Sequence, residues 1–207
     1  MKIYPEVLCK TIEYLKKLPG IGEKSAERMA LSLIDMSEND VKNLSAALLS
    51  SKERLHKCSI CSALTENEIC EVCEQAQNGN RNRNLICVLE DYKSVFAFER
   101  SGKFNGVYHV LNGLISPIDG IGPADININS LVKRIKELDE PELIIALKST
   151  IEGEATTLYI KKIFEKQNIK ISRLSYGIPM GVEIDYLDEL TLFNALNDRK
   201  VISSKDN

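Results

Sequence analysis

The chain has 207 residues, 43% of them hydrophobic, with 27 Lys/Arg against 30 Asp/Glu and a net charge of −3. That length supports one good core with one or two satellite modules, not several full domains. It also excludes a bilayer span, because no run approaches the roughly 18 to 20 uncharged apolar residues that one needs. The start Met1-Lys2-Ile3-Tyr4-Pro5-Glu6 lacks a secretory pattern, so the expected compartment is the cytoplasm, with no membrane partner. A negative total argues against nucleic acid at first sight. Residues 1 to 57, however, hold ten Lys/Arg and eight Asp/Glu, which permits a phosphate-binding face there.

Residues 5 to 17 are expected to form a helix, with Pro5 and Glu6 in its first turn and Leu8, Ile12 and Leu15 on one face. A second helix is expected from Glu23 to Ile34, and a third from Glu38 through Leu44, Leu48 and Leu55, with Ser37 as its N-cap. Residues 1–57 are therefore assigned as a helical unit. Between its first two helices lies Leu18-Pro19-Gly20-Ile21-Gly22, followed by Lys24 and Arg28, the pattern of a helix-hairpin-helix DNA-binding module. Gly20 and Gly22 let backbone approach a phosphate, the next helix offers free N–H groups, and Lys24 and Arg28 add charge. Such contacts read the DNA backbone, not its sequence. The competing reading is an ordinary interhelical turn with a solvated lysine. Lys24-Ser25 mimics the end of a P-loop, but Leu18 and Glu23 stand where that motif needs glycine, which excludes an ATP site.

Residues 58–80 carry too few apolar groups for a core. They do carry Cys58-x2-Cys61-x8-Cys70-x2-Cys73, two tight thiol pairs suited to one tetrahedral, structural zinc ion. Metal binding then replaces a hydrophobic core; a rubredoxin-like iron centre is the minor alternative, and His56 is not needed as a ligand. Cys9 and Cys87 stand apart and read as buried thiols.

From Arg81 apolar strands alternate with helical stretches. Strands are expected at Leu85–Glu90, Gly106–Leu111, Leu143–Leu147 and Ile169–Leu174. Helices are expected at Ser94–Glu99, Asn129–Leu138 and Gly153–Glu165, the last burying Ala155, Tyr159, Ile163 and Phe164. This alternation implies a parallel α/β sheet. Glu90 ends the first strand, and Glu152 and Glu154 follow the third, at strand ends that share a crevice in such sheets. They would either hold magnesium or simply suit the start of a helix. His109 reads as a core residue, and the polar tail after Val201 as frayed.

In this order the motifs resemble the RecR family of recombination mediators over essentially the whole chain. The resemblance rests on Leu18 to Ala30, the four cysteines, Ile86-Cys87-Val88-x-Glu90, Tyr108-His109-Val110-Leu111, the run Leu114 to Pro123, and Glu152-Gly153-Glu154-Ala155-Thr156. It implies a Toprim domain over 81–178, and a short C-terminal strand and helix segment over 179–207. That segment includes the Walker B-like Ile184-Asp185-Tyr186-Leu187-Asp188, read as structural or as an interaction strand. The resemblance also implies a tetrameric ring around DNA, with RecO and RecF as partners in loading RecA at gaps. Ser149, Tyr176 and Val182 depart from the family pattern at a proline, an Arg or His, and a glycine.

Three functions follow. The first is a non-catalytic DNA-binding mediator. The second is a magnesium-dependent Toprim nuclease or primase with Glu90 as acid or base and Glu152 and Glu154 on the metal, against which stand the chain's shortness and its lack of an Asp-x-Asp pair. The third is a zinc-built adaptor without DNA contact.

Overall fold

A computed structural model of the chain describes residues 3–175 and 177–200. Its backbone divides into two compact units, Met1–Leu55 and His56–Asn207.

The first unit holds three helices, α1 (Glu6–Lys16), α2 (Glu23–Asp35) and α3 (Glu38–Arg54). α1 stops short of Pro19, whose ring disfavours helix in the residue before it. Ile12 of α1 packs with Ala26 and Ala30 of α2, small residues that admit close helix contact, with Leu8, Leu15 and Ile21 around them. Ser37 caps α3 as expected, its hydroxyl accepting from the Asp40 N–H at 3.1 Å. α3 buries none of its residues.

The second unit opens with a two-stranded antiparallel sheet, β1 (His56–Lys57) and β2 (Leu64–Thr65), followed by α4 (Glu71–Gln77). The rest is a layered α/β unit: β3 (Leu85–Leu89), α5 (Tyr92–Ser101), β4 (Val107–Val110), α6 (Ile128–Ile135), β5 (Glu142–Ala146), α7 (Ile151–Phe164) and β6 (Lys170–Arg173). The four strands form one parallel sheet in the order β4-β3-β5-β6. β3 pairs on both sides, and β4 lies at a sheet edge with all four residues buried, so both read as continuous apolar runs.

α7 turns a different face inward from the one its apolar residues suggested. Gly153, Thr156, Ile160 and Phe164 are buried, whereas Ala155, Tyr159 and Ile163 are half-buried. Two local contacts set this rotation. The Thr156 hydroxyl accepts from the Ile115 N–H at 2.9 Å and donates to the Glu152 carbonyl at 2.6 Å, so a polar group is satisfied inside. A Cβ at Gly153 would stand 1.9 Å from the Lys148 carbonyl oxygen, so only glycine admits this approach.

Past β6, Ile184–Tyr186 is a single 3-10 turn, and Asp188 caps α8 (Glu189–Asn197) by accepting from the Thr191 N–H at 2.9 Å. The Walker B-like stretch is therefore a turn and a helix cap, not a strand. Val182 has no left-handed backbone to strain it, whereas Gly181 does at φ +82°. Tyr176 lies outside the described residues.

Candidate nucleic-acid interface and metal centre

In the first unit, the turn between α1 and α2 closes through the Ile21 N–H donating to the Leu18 carbonyl at 3.2 Å. It requires Gly20 at φ +81°, a conformation that costs other residues energy. Gly22 is the N-cap of α2 and has no side chain to satisfy the first N–H groups of the helix. No atom lies within 4 Å of where a Cβ would stand on either glycine, so the backbone here faces open space. Lys24 and Arg28 follow at i and i+4, both exposed, and among the described residues no carboxylate pairs with either. Glu23, at the mouth of the same turn, is held by Lys16. Uncapped N–H groups, a helix dipole and two unpaired cations make a surface suited to an anion.

In the second unit, the Sγ atoms of Cys58, Cys61, Cys70 and Cys73 lie within 4.8 Å of one another, and all four residues are buried. Cys70 is the N-cap of α4 and Cys73 lies in its first turn, where the helix dipole favours thiolate. The Cys70 N–H donates to the Cys58 sulfur at 3.3 Å and the Ala63 N–H to the Cys61 sulfur at 3.5 Å. Crowding forces the thiols apart in titration. Hydrogen bonding from Cys61 holds Cys58 far below the ordinary thiol range, while Cys58 pushes Cys73 far above it. Four soft donors this close, buried and supplied with N–H···S contacts, fit a metal ion with a closed sulfur shell. His56 is exposed on β1 and stands outside this cluster.

Sequence reasoning did not find what anchors this cluster. The Cys61 carbonyl accepts from the Val110 N–H of β4 at 2.8 Å, which satisfies part of an open sheet edge. Arg81, just past α4, donates to Gln75 at 2.7 Å and pairs with Glu99 of α5 at 2.6 Å. Glu99 also accepts from the Tyr108 hydroxyl at 2.6 Å. Burial pushes the Glu99 carboxyl up, but Arg81 and Tyr108 outweigh it and hold it below its ordinary value.

Glu90, Glu152 and Glu154 are not drawn together as the cysteines are. Among the described residues, the four cysteines are the only group of three or more His, Cys, Asp or Glu whose ligand atoms lie within 4.8 Å. Glu90 accepts from Lys148 at 2.9 Å and Glu154 pairs with Arg173 at 3.4 Å. Glu152 sits in the first turn of α7, where its own backbone N–H and Thr150 hold its carboxyl below the ordinary value. His109 is buried in β4; its Nε2 donates to the Asn127 carbonyl at 2.9 Å, leaving Nδ1 without a partner.

A helix-hairpin-helix, a four-cysteine centre and a parallel α/β domain on one chain define a multidomain protein of nucleic-acid metabolism. Comparison narrows the class. Residues 10–51 match the family described as RecR, helix-hairpin-helix, residues 84–175 the Toprim domain, and residues 177–200 the family described as RecR, C-terminal. The chain is 46% identical over 197 residues to the recombination protein RecR of Lactobacillus johnsonii, covering 95% of this chain and 98% of that one. It is 46% identical over 196 residues to its namesake in Staphylococcus aureus, at 95% and 98% coverage, and 45% over 199 in Enterococcus faecalis, at 96% and 99%. The chain belongs to the RecR family of recombination proteins. No described helix is long and apolar enough to cross a membrane.

Proposed function

We propose that this protein is a non-catalytic recombination mediator of the cytoplasm. It binds gapped or single-stranded DNA without sequence preference and acts with RecO and RecF to load RecA. The observation that carries the reading is the α1–α2 turn: Gly20 and Gly22 present open backbone beside the uncapped start of α2, with Lys24 and Arg28 unpaired on its exposed face. Phosphates would sit on those N–H groups and draw on the two charges.

The residues of the four-cysteine centre would hold zinc, which supplies structural closure and no open coordination position. In this reading residues 1–57 contact DNA, 58–80 form the zinc finger, the Toprim domain over 81–178 offers partner surfaces, and 179–207 serves assembly. Exposed apolar residues support a homotetrameric ring: Leu44 and Leu48 on α3, and Leu190, Phe193 and Leu196 on α8, are more than two-fifths exposed. Glu90 and Glu154 are engaged by Lys148 and Arg173, which favours a partner-facing or structural role over magnesium catalysis.

The test is binding to gapped duplex DNA across a salt series, with and without RecO. Lys24→Ala with Arg28→Ala should weaken binding and flatten the salt slope by about 0.7 to 0.9 per lost phosphate contact. Unchanged binding and slope would move the DNA site away from the hairpin.

A further inference from the structure

A groove of about 460 Å³ runs between β2 with the start of α4 and the exposed face of α5. Its floor is apolar, from Leu64, Val72 and Val95, and Phe96 stands 46% exposed at its margin. Tyr92 meets Phe96 edge-on, ring centroids 6.5 Å apart, so one side of α5 offers an aromatic pair. The other side is acidic. Glu66 and Glu71 line the groove, and Gln75 steadies the Glu71 carboxylate at 3.2 Å. Residues 58 to 80 contain four glutamates and no lysine or arginine. A divalent ion held by four thiolates would leave two further net negative charges beneath that surface. The charge of this segment is thus opposite in sign to that of residues 1 to 57, where the DNA contact is proposed.

We propose that this groove docks a basic protein segment carrying an apolar anchor side chain. The anchor fills the floor between Leu64 and Val95, while an arginine or lysine head lies against Glu71 and the Phe96 ring. Charge complementarity and the aromatic pair select this occupant: aromatic faces and carboxylates both attract cations, and exposed aromatics concentrate binding energy at protein interfaces.

The test uses the metal-loaded full-length protein and a short amphipathic peptide of alternating arginine and leucine. Controls carry glutamate in place of arginine or serine in place of leucine. Methyl NMR should show saturable shifts at Leu64, Val72 and Val95 with the first peptide only, weakening as salt rises. Phe96→Ala and Glu71→Lys should each weaken binding about tenfold or more. Metal content and near-ultraviolet circular dichroism establish that these variants fold. If one misfolds, the salt dependence and methyl map of the unmutated protein still decide the matter. Lys24→Ala/Arg28→Ala should leave peptide binding unchanged, so this proposal and the DNA reading fail separately. The proposal is overturned if no shift saturates below about 1 mM peptide, some −4 kcal/mol of affinity. Gapped DNA shifting the same methyls would overturn it in favour of nucleic acid. Concentration-dependent shifts confined to Leu64, Val72 and Val95 without peptide would overturn it in favour of a second copy of the chain seated in the groove.

Discussion

The Asn127 side-chain amide donates to the Ser62 hydroxyl at 2.7 Å, tying the turn between Cys61 and Ala63 to the loop that leads into α6. The same amide donates to the Val110 carbonyl at 3.1 Å, and the Val110 N–H reaches Cys61. The four-cysteine segment is thus stitched to the edge strand of the sheet. Ser62 sits at φ +60°, a strained conformation that these contacts and the sulfur cluster hold in place.

Metal removal should therefore be felt in the α/β domain. Chelation, or Cys61→Ser, is expected to remove at least ~3 kcal/mol of stability and lower Tm by roughly 6 to 12 °C. The Val110 amide should lose its protection against hydrogen exchange in the same experiment. Full retention of that protection in a metal-free protein would disprove the coupling.

Arg81 and Glu99 carry a second tie, with side chains 13% and 33% exposed. Arg81→Ala leaves the Glu99 carboxylate short of its cation, and removing one partner of a largely buried pair costs about 3 kcal/mol or more. The pH dependence has a definite sign. Glu99 is depressed when folded, so its contribution is full above the unfolded glutamate value and fades as pH falls through the folded one. Denaturant titrations should show the gap between wild type and Glu99→Gln narrowing on acidification; a gap that widens would contradict the pairing.

His109 titrates in a different window. Burial lowers it to about 4, outweighing its hydrogen bond to Asn127. A folded value below the unfolded one, near 6.5, means that stability is full above about 6.5 and declines as pH falls toward 4. The total decline is on the order of 3 kcal/mol. His109→Leu should flatten stability between about pH 6.5 and 5, where most carboxylates stay ionised. An unaltered slope in the variant would show that other groups set it.

These ties explain what the sequence could and could not disclose. The hairpin was readable because Pro19, Gly20 and Gly22 act locally, and the metal centre because its four cysteines are closely spaced. The strands were readable because β3 and β4 are buried on both faces. The rotation of α7 was not, since Thr156 is inward only because the Ile115 N–H, 41 residues away, meets its hydroxyl. Arg81 with Glu99 and Asn127 with Ser62 join residues 18 and 65 apart, and no periodicity marks such pairs. Glu90 directly follows β3, whereas Glu152 and Glu154 lie in the first turn of α7, and Lys148 and Arg173, which engage Glu90 and Glu154, carried no signal of that role.

The two hairpin glycines should separate folding from DNA binding. Gly20 is at φ +81°, so Gly20→Ala places a Cβ in the left-handed region at a cost of about 1 to 2 kcal/mol and lowers Tm. Gly22 is at φ −84° and ψ 174°, extended backbone that alanine adopts freely, with nothing within 4 Å of the added carbon. Gly22→Ala should therefore leave Tm nearly unchanged, because its only new neighbour is whatever approaches the start of α2 from solvent. If a phosphate docks there, the methyl group stands in its way and affinity for gapped DNA falls, most visibly at low salt where backbone contacts dominate. Measured together, Tm and DNA affinity distinguish the readings. A drop in affinity at constant Tm places the phosphate on the α2 N–H groups, whereas unchanged affinity makes the hairpin an interhelical turn and nothing more.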